Sequence, residues 1–484
     1  MWQIIGANLI NSKTDMKYIL LAAITLFSFF ANAQQLSLKQ CIDTALRNNI
    51  QVQQSGLQKQ TAEVNQQQAK MNLLPAINGS WSYGFNFGRN VDPITNTYTN
   101  NQLESSNSGV NAGVVLFNGM RLQNLIQQTG YAQKAAAMDY KQAQDNLVLN
   151  VILAYMQVLV SEDVIAASKA QLAVTQKQVE RMEVLVKEGS AGSFQLTDIK
   201  GQMANEQINL VNLENSLQQA KLSLCQLMNI QYAERLTLER SQIKLNETMY
   251  AQTSAEVIAA AQEYMALIKA NEFRVKSAEK NIQVAKGANY PTVSLTGAMG
   301  SGYSSFFSRL TPTSLVEENT GLYTKNGSVR TPVFAEVQKY DPQSVGYFTQ
   351  MKNNIGYFAG LSIQVPIFNN LQARNRIKLA KITYQNTQLD AQNTNYQLRQ
   401  NIEQAWLNMN AAYKRYAALQ EQLKNFEESF RAATVRFESG VINAVEFLLV
   451  KNNFDRSTIN LIQARYEYTF RTKLLDFYQG KELW

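Results

Sequence analysis

The chain contains no histidine. That removes Ser-His-Asp and Cys-His nucleophilic catalysis, histidine-containing zinc sites and haem held by a proximal histidine. Cysteine is almost as scarce. Cys41 and Cys225 are the two present, too few for a disulfide framework, and spacing leaves open one bond or two free thiols. Charge is nowhere concentrated: 45 basic and 37 acidic residues give a net +8, with no Lys/Arg block that would track a phosphate backbone. Nucleic acid is therefore not an expected partner. The glycine-rich stretch Gly297-Ala298-Met299-Gly300-Ser301-Gly302 lacks the Lys-Ser/Thr ending of a phosphate loop and opens no helix. No constellation points to an enzyme, and no catalytic residue, cofactor or metal is expected.

Apolar runs are short as well. Residues 18–30 form a 13-residue apolar stretch, below the roughly 20 residues a membrane-crossing helix needs. Lys17 precedes it and Ala31-Asn32-Ala33 follows, which reads as an export signal over residues 1–33. Translation is expected to start at Met16 and the mature chain at Gln34. No cysteine follows the cleavage site directly, so no lipid anchor is expected there.

What the chain does have is a duplication. Phe117-Asn118-Gly119-Met120-Arg121-Leu122-Gln123-Asn124 is answered by Phe368-Asn369-Asn370-Leu371-Gln372-Ala373-Arg374-Asn375, 368 − 117 = 251 residues later. Gly189 is answered by Gly440 at the same offset, 440 − 189 = 251. Between these landmarks Val151, Val158, Ile165, Leu172, Val179 and Val186 fall every seventh residue, and their counterparts Ile402, Met409, Tyr416, Leu423, Phe430 and Phe437 are all apolar. A seven-residue apolar repeat marks a helix seam that supercoils against neighbours. Uninterrupted helix of ~70 residues would reach roughly 105 Å, a rod and not a core helix.

The spacing predicts two repeats. The first, 34–229, holds a helix over 36–74, a β-hairpin over 76–117, a long helix over 119–188 and a return helix over 193–229 with Ser193 as N-cap. A connector spans 230–250. The second repeat, 251–478, holds a helix over 254–289, a hairpin over 292–368, a long helix over 369–438 and a return helix over 441–478, before a tail at 479–484. Pro75 and Pro291 stop the first helix of each repeat. Beyond them the apolar period changes from 3.5 to 2: Ile77, Trp81, Tyr83 and Phe85 alternate with Asn78, Ser80, Ser82 and Asn86, and Tyr357, Leu361 and Ile363 alternate with Gly360, Ser362 and Gln364. The second hairpin carries 251 − 216 = 35 extra residues within 303–350, expected as a proline-bearing loop (Pro312, Pro332, Pro342). All seven prolines lie in or beside the hairpins.

Alternating strands of about 9–11 residues on an exported chain suit a membrane β-barrel with a wet lumen. Four strands cannot close one, and lipid tolerates no open edge, so several chains must pool strands; 8, 12 or 16 are all compatible with the pattern. The fold class is α+β membrane protein, with antiparallel coiled-coil helices and four strands per chain. On these residues, with Lys187-Glu188-Gly189 and Arg436-Phe437-Glu438-Ser439-Gly440 at the helix tips, the chain resembles the TolC-type outer-membrane efflux family over nearly its whole mature length. The resemblance implies a homotrimer with a 12-strand barrel and a periplasmic helical tunnel. It also implies docking on a periplasmic adaptor coupled to an inner-membrane transporter, and passive export of drugs, toxic compounds or polypeptides through the outer membrane.

Function is expected at the tips. Repeated about an axis, a tip carboxylate becomes a ring that selects cations or narrows a pore, and Glu188, Asp198, Glu438 and Glu446 are the candidates. Gly189, Ser190, Gly192, Gly440 and Val441 are candidate adaptor-contact turns. Two other readings stay open on the residues alone: an exported coiled-coil structural or adhesion protein without a pore, and a stand-alone porin.

Overall fold

A computed structural model describes residues 35–91, 96–100, 102–232, 234, 236–240 and 247–481; the expected export signal lies outside them. The chain divides into two compact units, one of residues 1–61, 134–274 and 388–484, the other of 62–133 and 275–387.

The duplication holds residue for residue in the long helices. The long helices α3 (Arg121–Lys187) and α8 (Gln372–Glu438) have 67 residues each, and both ends differ by 251. Each is about 100 Å long at 1.5 Å per residue. They begin later than the expected 119 and 369 because two left-handed residues precede each: Gly119 (φ 67°) and Met120 (φ 60°), then Asn370 (φ 53°) and Leu371 (φ 62°). A side chain at Gly119 would come within 2.6 Å of Tyr290 and 2.9 Å of the Gly287 carbonyl, so only glycine fits. The return helices are α4 (Ser193–Met228) and α9 (Ala444–Tyr478).

The single helices expected over 36–74 and 254–289 are each broken once. The first is α1 (Leu38–Asn48) and α2 (Ile50–Met71); the second is α5 (Ser254–Tyr264) and α6 (Ala266–Gly287). The breaks are extended residues at equivalent positions, Asn49 (ψ 121°) and Met265 (ψ 126°). At the first, the Asn49 side chain accepts from Gln51 and Val52 N–H at 3.0 and 3.2 Å and so restarts the helix as an N-cap. Capping boxes at Ser37/Gln40 and Thr253/Glu256 open each repeat.

In the first unit the heptad seam is the core. Val151, Val158, Ile402 and Met409 are fully buried, with Leu38 and Ile42 of α1 against the first pair and Val257 and Ala261 of α5 in the cluster of the second. At mid-seam Leu172 and Leu423 are only half-buried in both copies. An apolar window of α3 is long enough to cross a membrane, but 56% of it is buried, as a core helix would be. The connector begins to pair with the N-terminus through a parallel bridge, Leu36 to Leu238, and the Tyr155 hydroxyl donates to the Leu36 and Glu239 carbonyls there. Cys41 and Cys225 are free and buried, and burial, with Cys225 nearby, pushes the Cys41 thiol up to about 12.

The second unit carries an antiparallel sheet in the order β1 (Ala76–Asn86), β4 (Leu103–Phe117), β5 (Thr292–Ser304), β8 (Gly356–Gln364). Between β1 and β4 lie the two-residue strands β2 (Asn90–Val91) and β3 (Tyr98–Thr99). The register sets Trp81 beside Ser108, Ser108 beside Ser301 and Met299 beside Tyr357. One face therefore collects Ile77, Trp81, Phe85, Val110, Leu295 and Leu361, and the other Asn78, Ser80, Asn107, Asn111, Thr296 and Ser362. Phe358 is a large apolar residue on the polar face, as Leu103 and Val115 are, and lies over Gly360. The outer edges of β1 and β8 pair with nothing among the described residues.

Residues 303–350 are not the loop that the sequence suggests. They form a long hairpin, β6 (Ser308–Asn326) and β7 (Val329–Ser344), and a short helix, α7 (Tyr347–Asn353). Gly327-Ser328, with Gly327 at φ 61°, makes the turn between the paired Asn326 and Val329, and the ladder absorbs Pro312 by a register shift before Ser314.

At both tips a left-handed glycine closes the helix, Gly189 (φ 72°) and Gly440 (φ 74°), each with open space where a side chain would sit. Alanine at either should cost about 1 kcal/mol from backbone strain alone. Alanine at Gly201, in mid-helix and also unobstructed, should add about 0.5–1 kcal/mol. Thermal unfolding of the three single variants checks both signs.

Candidate functional site

The two tips are built alike. The amide of Ser190 donates to Leu185 O at 2.8 Å and that of Gly189 to Val186 O at 3.1 Å; Val441 to Arg436 O and Gly440 to Phe437 O repeat both distances. This is the Schellman closure of a helix end. The return helices start differently. Ser193 is not the N-cap: Gly192 takes that place without a side-chain bond, because the chain turns into helix one residue earlier than expected. At the equivalent position Asn443 caps α9 by accepting from Glu446 N–H at 2.9 Å, so α9 begins at Ala444 and not at 441.

The α3–α4 and α8–α9 hairpins meet in one cluster. Val179 and Met182 pack with Ile199, Ala433, Phe437, Ala444 and Phe447. Rings stack at 4.6 Å for Phe437–Phe447 and 4.9 Å for Phe430–Phe454. Beside the cluster a cavity of about 400 Å³ is lined by Arg181, Ser190, Gly440, Val441, Asn443 and Glu446, among others. Three of the five turn residues named from sequence thus border one cavity; Gly189 and Gly192 do not.

The four candidate acids are all exposed, and they are not equivalent. Glu438 is engaged: Arg181 donates to its main-chain carbonyl at 2.7 Å and approaches its carboxylate at 3.9 Å, which also places a cation at the C-terminus of α8. Glu446 sits in the first turn of α9, where a helix N-terminus favours negative charge. Glu188, Asp198 and Glu446 form no ion pair among the described residues.

A polar network went unnoticed in the sequence. Lys451 of α9, 1% exposed, donates to Glu206 of α4 at 2.9 Å and to Asp455 at 2.5 Å. Thr175 of α3 donates to Glu206 at 2.8 Å, and Gln171 to the Asp455 carbonyl at 3.1 Å. Gln202 donates to both Glu206 and Asn452. The signal was there: Lys451 falls between Phe447 and Phe454 on the apolar seam of α9, where a lone charge needs a buried partner. Burial raises the Asp455 pKa above its ordinary value, with Lys451 pulling the other way.

Removing one member strands the others in a dry site. Lys451→Met should destabilise by about 3–5 kcal/mol, and adding Glu206→Gln and Asp455→Asn should restore most of it. The raised Asp455 value means that a proton is taken up on folding. Its contribution is full below the unfolded value and lost as pH rises through the folded one. Denaturant unfolding in detergent should therefore show Asp455→Asn with a flatter stability profile than wild type as pH rises above about 4.

The geometry has known counterparts. The family model described as outer membrane efflux protein matches residues 41–229 and 257–480. The chain is 21% identical to outer membrane protein TolC of Escherichia coli over 453 residues, 93% of this chain and 83% of that one. It is 19% identical to toxin and drug export protein A of Aggregatibacter actinomycetemcomitans over 429 residues, covering 89% and 83%. Among solved structures, the outer membrane protein VceC of Vibrio cholerae superposes with a TM-score of 0.73 at 15% identity, covering 92% and 97%. The MtrE outer membrane channel of Neisseria gonorrhoeae gives 0.68 at 19% identity, covering 92% and 88%. Two repeats of strand pair and 67-residue helix, joined at glycine-closed tips, are thus the fold of outer-membrane channels, and the chain belongs to the outer membrane efflux protein family.

Proposed function

We propose that the protein is the outer-membrane exit duct of a tripartite efflux or type I secretion system. Three copies pool their strands into a 12-strand barrel, with the long helices continuing as a periplasmic tunnel. The tips dock on a periplasmic adaptor coupled to an inner-membrane transporter. The observation that carries this reading is the four-stranded sheet with one apolar face and two edges unpaired among the described residues. Such a sheet is unsatisfied in lipid until other copies complete it. A duct performs no covalent chemistry, so catalytic groups are not required.

At the tip, Glu188 and Asp198 supply the acidic rings of the assembled duct, and the turns around Gly189, Ser190, Gly192, Gly440 and Val441 contact the adaptor. Glu438 acts instead through its tie to Arg181, joining the two hairpins of one copy.

Single-channel recording in planar bilayers tests this. Wild type should give cation-selective openings, and Glu188→Gln with Asp198→Asn should lower the cation-to-anion permeability ratio severalfold. Glu438→Gln should leave that ratio nearly unchanged. Unaltered selectivity in the double variant would keep the duct and move the filter elsewhere. Absence of conductance from a protein soluble without detergent would return the reading to a pore-less exported scaffold.

A further inference from the structure

The helix α7 has no place in the duplicated plan. β8 reaches along β5 only as far as the pair Gly300–Gly356, so the outer end of β5 would be left with an open edge. The residues of α7 and its C-cap close that edge with side chains. Gln350, 1% exposed, accepts from Ser304 N–H at 3.1 Å and donates to Ser304 O at 3.0 Å, copying a strand pair with its amide. Asn354 donates to Gly302 O at 2.8 Å, and the Ser301 hydroxyl donates to Met351 O at 2.6 Å. Tyr347 then reaches over the apolar face. Trp81 Nε1 donates to its hydroxyl at 3.2 Å, and the Ser106 hydroxyl, itself donating to Ser82 O, lies 3.1 Å away.

Below this helix the apolar face is hollowed. A groove of about 520 Å³ runs between Met351 and Ile355 on one side and Trp81, Val110 and Met299 on the other, with Gly79 in its floor. The polar side chains in its lining are Ser80, Ser108 and Ser301, of which Ser301 already donates to Met351 O. The groove lies at mid-strand, at the pairs Gly79–Val110 and Val110–Met299, and its α7 side faces the strand ends that carry the hairpin β6–β7, opposite the ends that continue into α2, α3, α6 and α8. In an outer-membrane protein whose helices are periplasmic, that is the outer leaflet. Tyr347 packs against Tyr83, Tyr303 and Phe348, the aromatic belt of a membrane–water boundary. On the far side of α7, Phe348 is 86% exposed. Lys352, one turn on, makes no ion pair among the described residues.

We propose that this groove is a lipid site: it takes one acyl chain of a phosphate-bearing outer-leaflet lipid, whose phosphate is met by Lys352. The proposal rests on the apolar sheet face meeting the bilayer, as the duct reading requires. Each copy holds one such lipid, and α7 is the clamp.

The test uses the purified full-length assembly and native mass spectrometry, with diphosphoryl lipid A as the probe. Gly79→Leu projects into the groove, where open space surrounds that position; Gly84→Leu, also unobstructed, projects from the opposite face of the same strand. Wild type should retain one probe molecule per copy. Gly79→Leu should reduce retention about tenfold, the equivalent of roughly two methylene groups left unburied. Lys352→Glu should weaken retention, and Gly84→Leu should not. Equal retention by wild type and Gly79→Leu, or equal loss in both leucine variants, would overturn the site. Conductance of the same samples keeps the two readings apart, since a conducting assembly that retains no probe rejects the lipid site and leaves the duct standing.

Discussion

Peptide groups in a bilayer must be hydrogen-bonded within protein, and the sheet of this chain leaves two strand edges unbonded. β4 and β5 are paired on both sides, whereas β1 and β8 each present one free edge among the described residues. An unmet peptide group in hydrocarbon costs several kcal/mol, so the sheet is stable in lipid only when continued by another copy. Much else follows from that. The apolar residues on one face and the small polar ones on the other only make sense once the sheet is curved into a wall between lipid and water. The helix α7 shows the same constraint locally: where β8 stops short, Gln350 and Asn354 supply the missing ladder bonds of β5.

The duplication solves a second problem, that of building helices far longer than a globular core can bury. Within its own repeat a helix of 67 residues has no single partner of its own length. Each repeat supplies a return helix of about half that length and a leading segment, and the leading segment is itself broken at Asn49 or Met265. At those breaks the heptad seam stays buried, with Val52 and Ile268 in the same clusters as the capped helices before them. Interrupted partners let a continuous helix be covered by pieces that each keep their own register. At the tip the stacked phenylalanines hold α8 to α9, and the Lys451–Glu206–Asp455 network joins the two hairpins. A network so buried ties three helices by directional bonds that apolar packing alone does not supply.

Long periodic elements were legible and short exceptions were not. The 251-residue offset and the heptads placed α3 and α8 to within three residues at either end, because seven-residue periodicity over 67 residues is a strong signal. The alternation of Trp81, Tyr83 and Phe85 with small polar residues placed β1 equally well. The helix break at Asn49 was missed because asparagine interior to a polar Gln-rich helix carries no distinct signature until its side chain is seen capping Val52. The hairpin β6–β7 reads as a loop in the sequence because of Pro312, Pro332 and Pro342, although a two-stranded ladder with exposed edges tolerates proline. At the tips, the left-handed helix ends at Gly189 and Gly440 are legible as glycine, since that conformation favours it. Sequence ranked Glu438 with the free acids because its partner Arg181 is 257 residues away.

The most direct test of the account is cross-linking of the free edges. Cysteines introduced in pairs along β1 and β8, in a chain whose own two thiols are buried, should oxidise only between copies. The account predicts a ladder on a non-reducing gel that ends at a covalently closed trimer. A ladder that closes at two or four copies, or bonds formed only within single chains, would contradict it.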